Sequence, residues 1–182
     1  MPWIEPLSRE QVSLPIKDLY DKVRQAYGAV LDPIAVFAHN AEALWAYIAF
    51  ERELQKAHHL PKKLGYLVNL RVARRLACPF CVDIGTMLAM EVGVTESQLA
   101  QFNDYRTSDA FSEAERVALE YCDTMSSDDV QVDAELQRRL RESFSTPAIV
   151  ELTAIIAWEQ FRSRFNRALG IEAHGFTANA AA

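Results

Sequence analysis

Several things are scarce in this sequence, and each scarcity removes a class of protein. Cysteine occurs three times, as Cys78, Cys81 and Cys122. That is not the dense, even-numbered framework of a small secreted domain. Histidine occurs four times, as His39, His58, His59 and His174. None has the compact spacing to Cys78 and Cys81 that a zinc site requires. No apolar run approaches the roughly 20 residues that cross a bilayer. The start, Met1-Pro2-Trp3-Ile4-Glu5-Pro6, lacks the basic residues and apolar run of a signal peptide. Positive charge is not in excess: the formal net charge is -6, which argues against a nucleic-acid surface. Alternating strand patterns are also missing. The expectation is a cytoplasmic protein with no membrane segment and no nucleic-acid partner.

What remains is helical. The chain has 182 residues, half of them hydrophobic, enough for one domain with a sizeable core. Residues 1–15 carry three prolines and read as an arm, with Trp3 and Ile4 as anchors. From Ile16 the apolar residues recur at i, i+3, i+4, and the first helix stops at Gly28. Asp32-Pro33 starts a short segment. Asn40 caps a helix to near Ala57, with His58-His59 as its C-terminal cap. A helix from Lys62 to near Ala77 follows, then one from Pro79 to near Val92. Thr95 with Gln98 and Ser112 with Glu115 form capping boxes. A further helix carries Leu136 and Leu140. Thr146-Pro147 caps the last long helix, which ends at Gly170. That helix is apolar around more than one stripe, as expected of a central element or one buried against another subunit. The result is an all-α fold of about eight helices, by periodicity. It occupies residues 16–175, and 176–182 form a tail.

The chemistry gathers at Cys78-Pro79-Phe80-Cys81. Proline suits the first helical position, because its missing N–H would have no partner there. Cys78 then stands at the helix start and Cys81 one turn in, on the same face. Free N–H groups and the positive end of the helix dipole face both sulfurs and favour the thiolate. The spacing admits a reversible disulfide. Inert packing and a half-site for metal are the competing readings of a lone Cys-x-x-Cys. Cys122 lies on the inward side of its helix and reads as a structural thiol. Arg71, Arg74 and Arg75 precede the pair and either support a thiolate or form a solvated basic face. Arg164 and Asn166 on the last helix read equally as buried polar contacts or functional groups.

Three stretches resemble the carboxymuconolactone decarboxylase-like, AhpD-like alkylhydroperoxidase family. They are Leu70 to Ala73 with Cys78 to Gly85, Ser112 to Leu119, and Phe161 to Ile171. The resemblance runs from about residue 15 to 175, and the cysteine motif is its most specific part. It implies an all-α, AhpD-like single-domain fold assembled as a homo-oligomer, often a trimer or hexamer. It implies hydroperoxide reduction by a pair in which Cys81 attacks and Cys78 condenses with it. A dithiol reductant then restores the pair. From the residues themselves, no cofactor and no metal are expected. The redox branch of the family usually has a histidine four residues after the second cysteine, where this chain has Gly85. It usually has a glutamate where this chain has Tyr66. Without that relay, activation would rest on the helix start, with Tyr66, Asp83 or Arg71 as possible supporting groups. A non-catalytic or redox-sensing member, and a decarboxylase-like lyase, are the alternative functions.

Overall fold

A computed structural model describes residues 2–179. Among the described residues nine α-helices carry the fold: α1 Leu14–Tyr27, α2 Asp32–Phe37, α3 Ala41–Leu54, α4 Lys62–Arg75, α5 Pro79–Glu91, α6 Glu96–Ala100, α7 Glu113–Met125, α8 Ala134–Ser143 and α9 Thr146–Ala168. A 3₁₀ turn at Arg9–Gln11 precedes them and a helical turn at Phe176–Asn179 follows. No strand occurs among the described residues.

The helix starts follow the local chemistry. Asn40, Thr95, Ser112, Asp133 and Ser145 each accept a backbone N–H from the first turn they cap. Both capping boxes are present. Two boundaries differ from expectation. Ser145, not Thr146, caps α9. Proline at the second helical position is compatible with either, and the serine hydroxyl decides. Helix α3 ends at Leu54, so His58 and His59 do not cap it. They lie in the following loop, where the His59 N–H donates to Glu151 at 2.8 Å.

Two hydrophobic clusters make the core. One gathers Leu67, Val68, Leu70, Leu119, Leu152 and Ile156 from α4, α7 and α9. The other gathers Ile16, Tyr20, Ile34, Phe37 and Leu44 around the start of α5, including Cys78 and Cys81. Helix α9 packs against α3, α4, α5, α7 and α8, which explains its apolar breadth. The arm is tied down as expected. The Trp3 indole donates to the Ala168 carbonyl at 2.8 Å, and Ile4 packs on the second cluster.

Candidate active site

Helix α4 hands the chain to α5 in a tight turn. The Cys78 N–H donates back to the Ala73 carbonyl at 3.1 Å, and Ala77 takes a left-handed φ of 48°. This turn sets Cys78 as the N-cap of α5. Its sulfur accepts the Cys81 N–H at 3.2 Å. Cys78 is fully buried and Cys81 is 7% exposed, so both thiols lie where a charge needs partners.

Helix α9 supplies those partners. The Asn166 side-chain amide donates to Cys81 Sγ at 3.3 Å and reaches Cys78 Sγ at 3.9 Å. Cys78 is the acidic member of the pair. The Cys81 side chain and then the Cys81 N–H hold it below the ordinary thiol range, against burial. Cys81 is pushed far up, because it donates its proton to Cys78 and is itself buried. Of the two thiols, Cys78 is therefore the first to lose its proton and Cys81 the one that holds it.

Behind Cys81, Ser163 and Glu159 continue along the same face of α9. Ser163 Oγ donates to Glu159 Oε1 at 2.8 Å. Both residues are buried, at 0% and 3% exposure. Arg162 pairs with Glu159 and also with Glu51 at 3.0 Å, and Glu51 accepts the Trp158 indole N–H. The Ser163 hydroxyl lies beside the Cys81 sulfur and favours its thiolate, while the Glu159 charge opposes it.

A cavity of about 530 Å³ lies on the other side, lined by Ala77, Cys78, Pro79, Val82, Asp83, Thr86, Ala173 and Thr177. Asp83 closes one edge. Its carboxylate accepts N–H bonds from His174, Gly175, Phe176 and Thr177, and the Thr177 hydroxyl, all at 2.7–3.0 Å. Although burial acts against it, these bonds from Thr177, Phe176 and Gly175 hold its carboxyl below the usual range. The stretch expected to end the domain and begin a tail is thus a strap pinned beside the cysteines.

The structure separates the residues that sequence reading placed near the pair. Cys78 and Cys81 are together, and Asp83 reaches the cavity but as the anchor of the strap. Arg71 is elsewhere. Its guanidinium makes a two-point contact with Asp123 at 2.7 and 2.9 Å and lies over the Tyr105 ring. Arg74 lies over Phe102, and Arg75 approaches Asp123 at 3.7 Å. All three arginines serve the α4–α7 side and not the thiolate. Tyr66 packs on the first cluster, and burial chiefly raises its phenol, so it stays protonated at neutral pH. A Cβ at Gly85 would make ordinary contact with Leu70 Cδ1 at 3.8 Å. Cys122 is fully buried, and burial raises its thiol. Sequence reading named Asn166 but missed Ser163 and Glu159. Their available signal was the i, i+4 spacing of Glu159 and Ser163, set among the other polar residues of the C-terminal half of α9. Among the described residues no group of three or more His, Cys, Asp or Glu is placed to hold a metal ion. No helix among them is long and apolar enough to cross a membrane.

An all-α chain with a Cys-x-x-Cys pair at a helix start, backed by a central helix, has the AhpD-like fold. Residues 41–124 match the carboxymuconolactone decarboxylase family. The uncharacterized protein YnjA of Escherichia coli is 36% identical over 153 residues, 84% of either chain. The chain belongs to the carboxymuconolactone decarboxylase family. Several solved structures share its fold. The debrominase Bmp8, in complex with 2,3,4-tribromopyrrole, matches with a TM-score of 0.85 at 21% identity, over 100% of this chain and 96% of its own. An uncharacterized peroxidase-related protein from Ralstonia eutropha JMP134, described as an alkylhydroperoxidase AhpD core, matches with a TM-score of 0.84 at 17% identity, over 93% and 90%.

Proposed function

We propose that this protein is a thiol-dependent, peroxidase-like oxidoreductase that reduces hydroperoxides through Cys78 and Cys81. The observation that carries the reading is the asymmetric pair. Cys78 Sγ accepts the Cys81 N–H at the helix start, the residue is one of those around the cavity, and Cys81 holds its proton more tightly. The Cys78 thiolate attacks the distal peroxide oxygen. The O–O bond breaks, an alkoxide leaves and takes a proton from solvent, and Cys78 becomes a sulfenic acid. Cys81 then displaces hydroxide from that sulfur and forms the disulfide, and a dithiol reductant restores both thiols by exchange. This order reverses the one the family resemblance implied, and the helix start is the reason.

The cavity wall is mostly apolar, contributed by Ala77, Pro79, Val82 and Ala173. That favours an organic hydroperoxide over a small polar one. It also supports a second reading suggested by the debrominase of the same fold. A dithiol can replace bromine by hydrogen on an electron-rich ring, releasing bromide as the pair closes to a disulfide. The protein is further proposed to work as a homo-oligomer.

The test is to challenge Cys78→Ser and Cys81→Ser proteins with cumene hydroperoxide or a bromopyrrole and trap any sulfenate with dimedone. Sulfenate on Cys78 in the Cys81→Ser protein, and none in the Cys78→Ser protein, is expected for the peroxidase. Bromide release without reaction toward peroxide would select the second reading. Sulfenate only on Cys81 would restore the order implied by the resemblance.

A further inference from the structure

The disulfide step asks something that Gly85 and Tyr66 cannot supply. Cys81 must lose its proton as its sulfur attacks Cys78, and it does so in a buried site. One face of α9 runs from Glu159 through Ser163 to Asn166, and this face covers Cys81. Asn166 fixes the Cys81 sulfur by a 3.3 Å hydrogen bond. One turn back, the Ser163 hydroxyl donates to a Glu159 oxygen at 2.8 Å, which leaves its lone pairs to accept a proton. Glu159 is 3% exposed, and Arg162 fixes its other oxygen. A carboxylate buried this deeply, with one oxygen held by the hydroxyl that neighbours Cys81, is more than a helix-surface salt bridge.

We propose that Glu159, acting through Ser163, is the proton acceptor for Cys81 during disulfide formation. The inference rests on the dithiol chemistry proposed above. Ser163 takes the Cys81 proton and passes its own to Glu159. The Cys81 sulfur attacks the Cys78 sulfenic sulfur, the S–S bond forms, the S–O bond breaks, and hydroxide leaves to take a proton from solvent. When a dithiol reductant reopens the disulfide, its two thiol protons pass to solvent. The Cys81 thiolate takes its proton back from Glu159. The two electrons taken by the peroxide come from the pair, and the reductant replaces them. The route does from the last helix what the family's histidine and glutamate do from α5 and α4. Arg162, anchored on Glu51, is a positioning residue that holds Glu159.

The experiment compares the natural protein with Glu159→Gln and Ser163→Ala, following sulfenate and disulfide separately after a single exposure to cumene hydroperoxide across pH 6–9. A second oxidant, 4,4′-dithiodipyridine, is run in parallel. It forms a mixed disulfide that Cys81 must resolve by the same proton loss, with no peroxide involved. General-base assistance is worth about 10²–10⁴-fold. Both variants should therefore resolve at least about 100-fold more slowly at pH 7, with sulfenate or mixed disulfide accumulating. The deficit should shrink as pH rises, because solvent hydroxide then takes the proton. A salt bridge that merely braces α9 would leave the shape of the pH profile unchanged. Resolution as fast as in the natural protein at every pH, with either oxidant, overturns the relay. If Glu159→Gln fails to fold, Ser163→Ala alone decides. If hydroperoxide leaves the natural protein untouched while the variants still slow resolution with 4,4′-dithiodipyridine, the relay stands and the peroxidase reading falls.

Discussion

Ala77 and Gly85 stand on either side of the cysteines, and each occupies a conformation suited to the other. Ala77 holds φ at 48°, which costs a residue with a Cβ about 1–2 kcal/mol. Gly85 lies inside α5, where glycine costs about 1 kcal/mol relative to alanine. Its Cβ position is open, with only Leu70 Cδ1 at contact distance. Ala77→Gly and Gly85→Ala should each stabilise the protein by about 0.5–1 kcal/mol. Thermal unfolding should show this as a rise of about 2–4 °C per kcal/mol for a chain of this size. Destabilisation by Gly85→Ala would show that the glycine is kept for close approach of α4. The strain at Ala77 was not legible in the sequence, because alanine gives no hint of a left-handed turn. The cysteine pair was legible, since motif, proline and helix start are contiguous. Glu159 and Ser163 were not, because only the packing of α9 on α5 brings them to Cys81, some 80 residues earlier in the chain.

At the scale of elements, α5 owes its placement to both ends of the chain that follows it. Its first turn is met by α9, and its second turn binds the 174–177 strap through Asp83. The strap's N–H groups would otherwise be unpartnered donors beside an apolar cavity. Asp83→Asn should release the strap, since each hydrogen bond to a charged group is worth about 1.5–3 kcal/mol. Amide exchange at His174 to Thr177 should accelerate at pH 7 in that variant, while exchange in α4 stays slow. The natural protein should behave similarly in acid. The Asp83 carboxyl is depressed in the folded state, so its contribution is complete above the ordinary aspartate value of about 3.9. It is lost as pH falls below that value through the folded one. Unchanged exchange at pH 7 in Asp83→Asn would mean that Phe176 packing alone holds the strap. Helix starts were legible element by element, because each cap is a local bond. The strap was not, because residues 174–177 carry no periodicity and their partner is Asp83 on another element. The arginines misled for the same reason: their spacing shows a shared face of α4, but not that Asp123 on α7 is the group facing it.

Over the whole molecule, one surface is unlike the rest. Aromatic rings of α2, α3 and α9 form a continuous ladder from Phe165 against Phe37 to Trp158 against Phe161 and Phe50. Its outer members stay open, with Phe50 and Phe161 each 44% exposed, and Trp45, also on α3, is 39% exposed. Large aromatics grouped in this way are characteristic of the centre of a protein interface. The ladder also backs the Glu51–Arg162–Glu159 chain through the Trp158 indole, so covering it would dry the outer side of the proposed relay. A second copy of the chain should therefore bury this surface, in an interface well above about 1,000 Å². Light scattering at micromolar concentration should give a mass that is a multiple of 20.6 kDa. Trp45→Glu with Phe50→Glu should lower that mass to one chain while circular dichroism stays helical, because neither ring is a buried core residue. If assembly shields the relay, the separated chains should also form the Cys78–Cys81 disulfide more slowly at pH 7. A natural protein that scatters as a single chain would remove the assembly, and with it the expectation that these substitutions reach the cysteines at all.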